Sequence, residues 1–419
     1  MRALVIADGE HYAPVVRDAV AALPYEVAAV WLAGGTEKLR GGEDYGVPVV
    51  DQLEPAITEL DPEVVIDLSD EPVLGPRERL RLASRVLALG LPYVGPDFRF
   101  DPPELAPFPL PSVSVVGTGK RVGKTAVTGH LARLLARDRE VVVVAMGRGG
   151  PAEPEVAEVQ PTLERLVELS RAGQHAASDY LETAALAGVV TVGCRRCGGG
   201  LAGSPGESNV LAGAALAAER EPDVVIFDGS GAAIPPIDTG VRVLVTSTVQ
   251  PPEVSTGYLN AYRILVSDLV VVTGGVDDAL MHAIHEVKDV PVVPVELRPR
   301  PAKPVLGKRV AYFSTAPVDA RATIERHLRE EWGADVVLVS GNLARRDELR
   351  DDLARAGGAE IYLVEIKAAA IDVVAEAALE RGVEVVFADN ELVPIGVHDL
   401  DVELIRLADA AAAREAVPR

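Results

Sequence analysis

Short apolar runs of strand length alternate with helical patterns along almost the whole chain, and this alternation limits the fold more than any other feature. Near the N-terminus the runs are "ALVIADG", "EVAAVWLAGG", "EVVIDLSD" and "PYVGPD". Between them lie "YAPVVRDAVAAL", "QLEPAITEL" and "PRERLRLASRVLALG", whose apolar residues recur at helical spacing. A strand that is apolar at consecutive positions is buried on both faces. Strands linked through helices run parallel, because a parallel pair needs a crossover. The expected class is therefore α/β, built as three-layer parallel-sheet domains.

Proline divides the series. "FRFDPPELAPFPLP", residues 98–111, has no hydrophobic period and reads as a linker. A second series follows: "SVSVVG", "EVVVVAMG", "DVVIFDG", "RVLVTS", "LVVVTGG" and "VPVVPV". "ELRPRPAKPVLG", residues 296–307, is a softer break. The third series holds "RVAYFS", "DVVLVSG", "EIYLVEI" and "EVVFADN", and "LIRLADAAAAREAVPR" reads as a terminal helix. The expectation is three domains, 1–100, 101–300 and 301–419, the first Rossmann-like and the last α/β. No internal repeat is evident.

Bulk properties exclude some functions. With 419 residues, 48% hydrophobic and 25% charged, the chain is globular in composition. A formal net charge of −22 repels nucleic acid and anionic membranes, so neither is an expected partner. Cys194 and Cys197 are the two cysteines, too few for a disulfide framework. The apolar run in "MRALVIADGEHY" is too short for a signal peptide, and no run reaches the roughly 20 apolar residues of a membrane span. A cytoplasmic protein is expected.

In the middle region the chemistry concentrates at "VVGTGKRVGKTAV", residues 115–127. Gly123, Lys124 and Thr125 end a phosphate-binding loop, between an apolar strand and the helix "AVTGHLARLLARD". The strict spacing wants glycine where Thr118 stands; the glycine is one step earlier, at Gly117. Backbone amides of Gly117, Thr118, Gly119, Val122 and Gly123 would wrap phosphates at the helix N-terminus. Lys124 would pair the β- and γ-phosphates of ATP, and Thr125 would ligate Mg²⁺. Domain 101–300 is thus read as a central P-loop nucleotide-binding catalytic domain. The spacing resembles that of dethiobiotin synthetase and its relatives, which place a second Mg²⁺ carboxylate at a later strand end. Asp228 in "DVVIFDGSGAA" fits that place; capping a turn is its simpler role. No N-K-x-D follows "LVVVT", which favours ATP over GTP.

Other clusters leave alternatives open. Arg148 in "AMGRGGPAEPE" follows a strand and can reach an anion; Glu153 and Glu155 could assist a metal or be solvated. Asp179 and Glu182 lie three apart on one helical face, with His175 nearby, either for Mg²⁺ or substrate or as an acid-rich helix start. "VGCRRCGGGLAGSPGESN" carries Arg195 and Arg196, which read as a bidentate phosphate clamp beside amides of Gly198 to Gly200, or as a solvated turn. Cys194-x-x-Cys197 lacks the second ligand pair that zinc needs. His11 could bind substrate or be structural, and Lys367 in apolar surroundings needs Glu365 or a phosphate as partner.

Taken together, "GTGKRVGKTAV", "AMGRGGPAEPE", "VGCRRCGGGLAG", "DVVIFDGSGAA" and the opening "DGEHY" resemble the cyclic 2,3-diphosphoglycerate synthetase family over essentially all of the chain. The resemblance implies an ATP-dependent ligase that closes an intramolecular phosphoanhydride in 2,3-diphosphoglycerate, releasing ADP and phosphate. The expected catalytic set is Lys120, Arg121, Lys124, Arg148, Arg195 and Arg196; the expected metal set is Thr125, Asp228, Asp179 and Glu182. Such a substrate brings about five negative charges and ATP about four, so an acidic protein must gather cations locally. A dethiobiotin-synthetase-like ligase acting on a carboxylate fits the loop and Asp228 equally well. An ATP-switched binding module would want lysine at Gly119, whereas the lysine is at Lys120. A homodimer is expected from the frequency of dimers among such enzymes.

Overall fold

The N-terminal strand β1 (Arg2–Ala7) forms because its apolar residues are buried on both faces. It lies between β2 (Glu26–Leu32) and β4 (Val64–Asp67), both parallel to it. With β3 (Val49–Val50), β5 (Tyr93–Val94) and β6 (Arg99–Phe100) the sheet order is β3-β2-β1-β4-β5-β6, with only β6 antiparallel. Helices α1 (Ala13–Ala22), α2 (Leu53–Leu60) and α3 (Pro76–Ala88) are the crossovers. The order reverses direction at β1, as in Rossmann-like sheets.

In this computed structural model, residues 1–158, 168, 179–365 and 371–415 are described, and the chain forms two units. The first comprises Met1–Glu104 with Gln250–Val266 and Ala279–Asp289; the second holds the rest. Proline-based boundaries do not anticipate the two later segments. They join the first unit through packing of helix Asn260–Leu265 on α3 and an Arg81–Glu286 ion pair at 3.7 Å.

The second unit is organised on one 13-stranded sheet. Its core run is β11 (Val190–Cys197), β9 (Val141–Gly147), β13 (Val224–Asp228), β8 (Ser112–Gly117), β15 (Val241–Ser247), β16 (Leu269–Thr273) and β17 (Val292–Pro301), all parallel. Then β21 (Glu384–Pro394) pairs antiparallel with β17 and carries the sheet on through β20 (Ile361–Glu365), β18 (Arg309–Phe313) and β19 (Asp335–Ser340). The short β10 (Glu155–Ala157) and β12 (Glu207–Ser208) both pair antiparallel with β11. The expected break at 296–307 is therefore partly strand. Beyond Val295, β17 has β21 as its only sheet neighbour among the described residues. Pro299 and Pro301 sit there, where one side of the ladder needs no donor.

Helix α4 (Lys124–Leu135) packs under the core run of the sheet. Val127, Leu131, Leu134 and Leu135 recur at helical spacing and pack on Val113, Val115, Val143 and Val243. Burying each such side chain stabilises by about 1.5–3 kcal/mol. On the opposite helix end, Arg139 pairs with Asp409 of the terminal helix Leu400–Glu415 at 2.7 Å.

Candidate active site

Four neighbouring parallel strands, β11, β9, β13 and β8, end at the same sheet edge, and their loops make the site. Strands sit roughly 4.8 Å apart, so residues distant in sequence arrive side by side. Gly147 of β9 is in register with Arg195 of β11, and Asp228 of β13 with Val115 of β8.

The phosphate loop is pinned from below. Thr118 donates its amide to Val245 O at 3.0 Å and its hydroxyl to Thr246 at 3.0 Å. Thr273 holds Val122 O at 2.9 Å. Gly123 caps α4 at φ +85°, and a β-carbon there would lie 2.8 Å from the Thr273 methyl, so glycine is required. Arg121 holds φ +62°, a strained value for a non-glycine residue, of the kind found in ligand-binding loops.

Below the loop, Lys124, Thr128 and Asp228 meet. Lys124 Nζ pairs with Asp228 Oδ1, and the Thr128 hydroxyl donates to the same oxygen at 2.8 Å. Lys124 and Thr128 are one helical turn apart, hence on one face. Asp228 is fully buried, and Lys124 and Thr125 are buried beside it. Thr128 was not legible as a site residue, since nothing in "KTAVTG" marks it apart from the lysine four residues earlier.

Cations surround the turn that follows Asp228. The point where a β-carbon on Gly231 would sit is 3.1 Å from Arg148 Nη2, 3.7 Å from Arg196 Nη2 and 3.8 Å from Lys120 Cγ. Gly231 itself is left-handed, at φ +59°. Arg196 is braced: Nη2 donates to Ser230 O at 2.7 Å and Nη1 to Gly198 O. The side chains of Lys120, Arg121, Arg148 and Arg195 make no hydrogen bond or ion pair among the described residues. In a protein of net charge −22, four exposed cations left this way at one edge form a local positive patch.

Three expectations are corrected. Arg195 and Arg196 do not form one clamp, because consecutive strand residues face opposite sides. Arg196 turns to Ser230, while Arg195 alternates to the face where Gly193 meets the Tyr180 ring. The glycine run is also not wholly offered to a ligand, since the Gly200 amide is used by Ser204 O at 2.8 Å. The Thr118 amide, expected on a phosphate, is taken instead by Val245 O at 3.0 Å, and Glu155 accepts the Tyr180 hydroxyl at 2.9 Å.

Asp179 opens α5 (Asp179–Ala187), and Glu182 is buried along it. His175 and Lys367 lie outside the described residues, and Glu365 accepts from Tyr312 at 3.1 Å and the Thr315 amide at 3.0 Å. Glu153 is exposed. Cys194 and Cys197 are free thiols. Cys194 packs against Gly213 of α6 (Val210–Ala218), where a β-carbon would come within 2.2 Å of its sulfur, and burial pushes its thiol up to about 12. In the first unit, His11 Nδ1 is held by buried Asp8 at 2.8 Å. Among the described residues no group of three or more His, Cys, Asp or Glu forms a metal site, and no helix is long and apolar enough to cross a membrane.

A parallel sheet with a glycine-lysine-threonine loop at its edge, a buried aspartate beneath and uncommitted cations above defines a P-loop phosphate-binding protein. Family models narrow this. Residues 2–101, 112–294 and 301–391 match the N-terminal, P-loop and C-terminal domains of cyclic 2,3-diphosphoglycerate synthetase. The chain is 51% identical to the cyclic 2,3-diphosphoglycerate synthetase of Rubrobacter xylanophilus, with 98% of each covered. It is 42% identical to that of Thermococcus kodakarensis, over 99% of this chain and 100% of the relative. The chain belongs to the cyclic 2,3-diphosphoglycerate synthetase family. Among solved structures, LpxK from Aquifex aeolicus in complex with ATP aligns at a TM-score of 0.43 and 16% identity, over 73% of this chain and 90% of that one.

Proposed function

We propose that this chain uses ATP to close the phosphoanhydride ring of cyclic 2,3-diphosphoglycerate, releasing ADP and phosphate. The observation that supports it best is the convergence of Lys120, Arg148 and Arg196 on Gly231, beside the phosphate loop. A substrate carrying a single carboxylate has no use for so many cations; one carrying two phosphates does.

The γ-phosphoryl group moves from ATP to one substrate phosphate, breaking the bond to ADP. The second substrate phosphate then attacks the phosphorus of the first, forming the ring and displacing inorganic phosphate. Both are phosphoryl transfers, so the protein's work is positioning and charge neutralisation. Amides from Gly119 to Gly123 cradle the nucleotide phosphates, the Thr118 amide being held by Val245 O, with Lys124 on the β- and γ-oxygens. Lys120, Arg121, Arg148 and Arg196 hold the two substrate phosphates together against their repulsion, and Arg195 guards the outer face. Thr125 and Asp228 are hard oxygen donors suited to Mg²⁺, completed by phosphates and water. Bound Mg²⁺ supplies further charge neutralisation. Asp228 already faces one positive charge, that of Lys124, so it is placed for a cation once Lys124 turns to the phosphates. Asp179 and Glu182 would be further carboxylate donors to Mg²⁺. The three-domain division at 100 and 300, a cytoplasmic location and a homodimer complete the reading. Sedimentation equilibrium tests the last: a single 44.1 kDa species would remove the dimer.

The function is tested with Mg-ATP and 2,3-diphosphoglycerate, following ADP and ³¹P spectra. Diphosphoglycerate-dependent ADP release with a new cyclic pyrophosphate signal is expected. ADP release indifferent to diphosphoglycerate would sink the proposal.

A further inference from the structure

One side chain ties together the two loops that carry the substrate-facing arginines. Asn209 is the N-cap residue of α6, a place where asparagine ordinarily accepts a hydrogen bond from the first turn of its own helix. It makes no such cap bond. The hydroxyl of Ser208 takes the Val210 amide at 3.1 Å instead. Asn209 turns away and uses its whole amide group between loops. Its Oδ1 accepts the Arg195 amide at 2.7 Å, and its Nδ2 donates to Pro151 O at 3.2 Å and Ala152 O at 3.1 Å. Its own backbone amide closes a second bond, to Arg195 O at 3.2 Å.

This bridge joins the end of β11 to the loop that begins at Arg148. The two backbones also touch directly: a β-carbon on Gly150 would lie 2.0 Å from Cys194 O. Gly150 lets the loops meet, and Asn209 fixes where along each other they meet. On one side of the bridge stands Arg148, on the other Arg195 and Arg196. The side chain of a helix cap is used here as a link between loops.

We propose that Asn209 is a positioning residue that sets the separation of Arg148 from Arg196, and through it the spacing of the two phosphates the site accepts. This rests on the substrate reading above. Two phosphates on adjacent carbons have a fixed separation, so an arm free to drift loses one of its contacts. Misplacing reacting groups by about 1 Å costs on the order of a hundredfold in rate.

Two variants test it. Asn209→Asp keeps an acceptor for the Arg195 amide and is an equally good N-cap, but it cannot donate to Pro151 and Ala152. Asn209→Ala removes both arms. The expectation for both is a KM for 2,3-diphosphoglycerate raised about 10- to 100-fold, with ATP affinity changed less than about 2-fold. A merely structural role would lower the melting temperature and weaken ATP in step with KM, and that pattern in Asn209→Asp would overturn the proposal. So would an unchanged KM in that variant. Wild-type turnover in the same assay judges the substrate reading separately. Should wild type leave diphosphoglycerate untouched, calorimetry with inorganic pyrophosphate decides the role of Asn209. Binding at least about tenfold weaker in Asn209→Asp upholds it, and equal binding rejects it.

Discussion

The two units use charge at their strand ends in opposite ways. In the first, Asp8 and Asp67 stand at the ends of β1 and β4, both buried. Asp67 accepts Arg79 Nε at 2.9 Å, the Tyr93 hydroxyl at 2.5 Å and the Ser69 amide at 2.8 Å. Asp8 accepts the Asp70 amide at 2.8 Å, His11 Nδ1 at 2.8 Å, and the amides of Glu10 and His11 at 3.0 and 3.1 Å. In the second unit, Lys120, Arg121 and Arg148 stand at equivalent strand ends with no such partners among the described residues. A charge satisfied by its own chain holds the fold, and a charge left over is available to a ligand. Removing the first kind should cost stability, and removing the second should cost function.

Lys124 belongs to both kinds, and its loss gives the largest expected effect. It pairs with Asp228 at rest and is the residue proposed to take the nucleotide phosphates. Lys124→Ala is expected to lower turnover about a thousandfold or more, measured as diphosphoglycerate-dependent ADP release. A variant retaining a tenth of wild-type turnover would take Lys124 out of the reaction. Asp67→Ala follows, on the order of 3 kcal/mol of stability, because it strands a buried phenol and a guanidinium. Burial, and after it the Asp67 charge, pushes the Tyr93 phenol far up, so that phenol stays protonated and needs an acceptor. Denaturant unfolding measures the loss, and nucleotide affinity should not move.

Arg148→Ala is the mirror experiment. It should raise the KM for diphosphoglycerate about tenfold, the share of one charge-assisted contact. Its melting temperature should hold or rise slightly, since a neighbour is removed from a cluster of like charges. A clear fall in melting temperature would erase the contrast between the units.

Much of this was legible in the chain. Apolar runs marked the strands, since burial on both faces leaves no alternative pattern, and Gly123-Lys124-Thr125 marked the loop, since phosphate chemistry demands those residues in that context. Meeting of the cations was not legible. Lys120, Arg148 and Arg196 come together only because β11, β9, β13 and β8 are neighbours, and strand order is not written in local pattern. Arg195 and Arg196, adjacent in sequence, were grouped when strand alternation separates them. Asn209 gave no signal at all. An asparagine before a helix reads as a cap, and only the geometry reveals that the cap is unused.

The smallest expected effect tests the satisfied side of the comparison by acid. Burial alone would raise the Asp8 carboxyl, but hydrogen bonds from His11, from the Asp70 amide and from the His11 amide outweigh it and hold the group below its ordinary 3.8. A carboxyl lowered in the folded state contributes stability that is fully present above the unfolded value. That contribution is lost as pH falls through the folded value. Asp8→Asn removes the charge and should cost about 1 kcal/mol at neutral pH. Near pH 3 the gap between wild type and variant should shrink, because acid is already taking the same contribution from wild type. Urea unfolding of both proteins at the two pH values measures this. A gap that stays constant would mean the Asp8 bonds are no stronger for being charged, and the first unit would then owe its strand-end order to hydrogen-bond geometry alone.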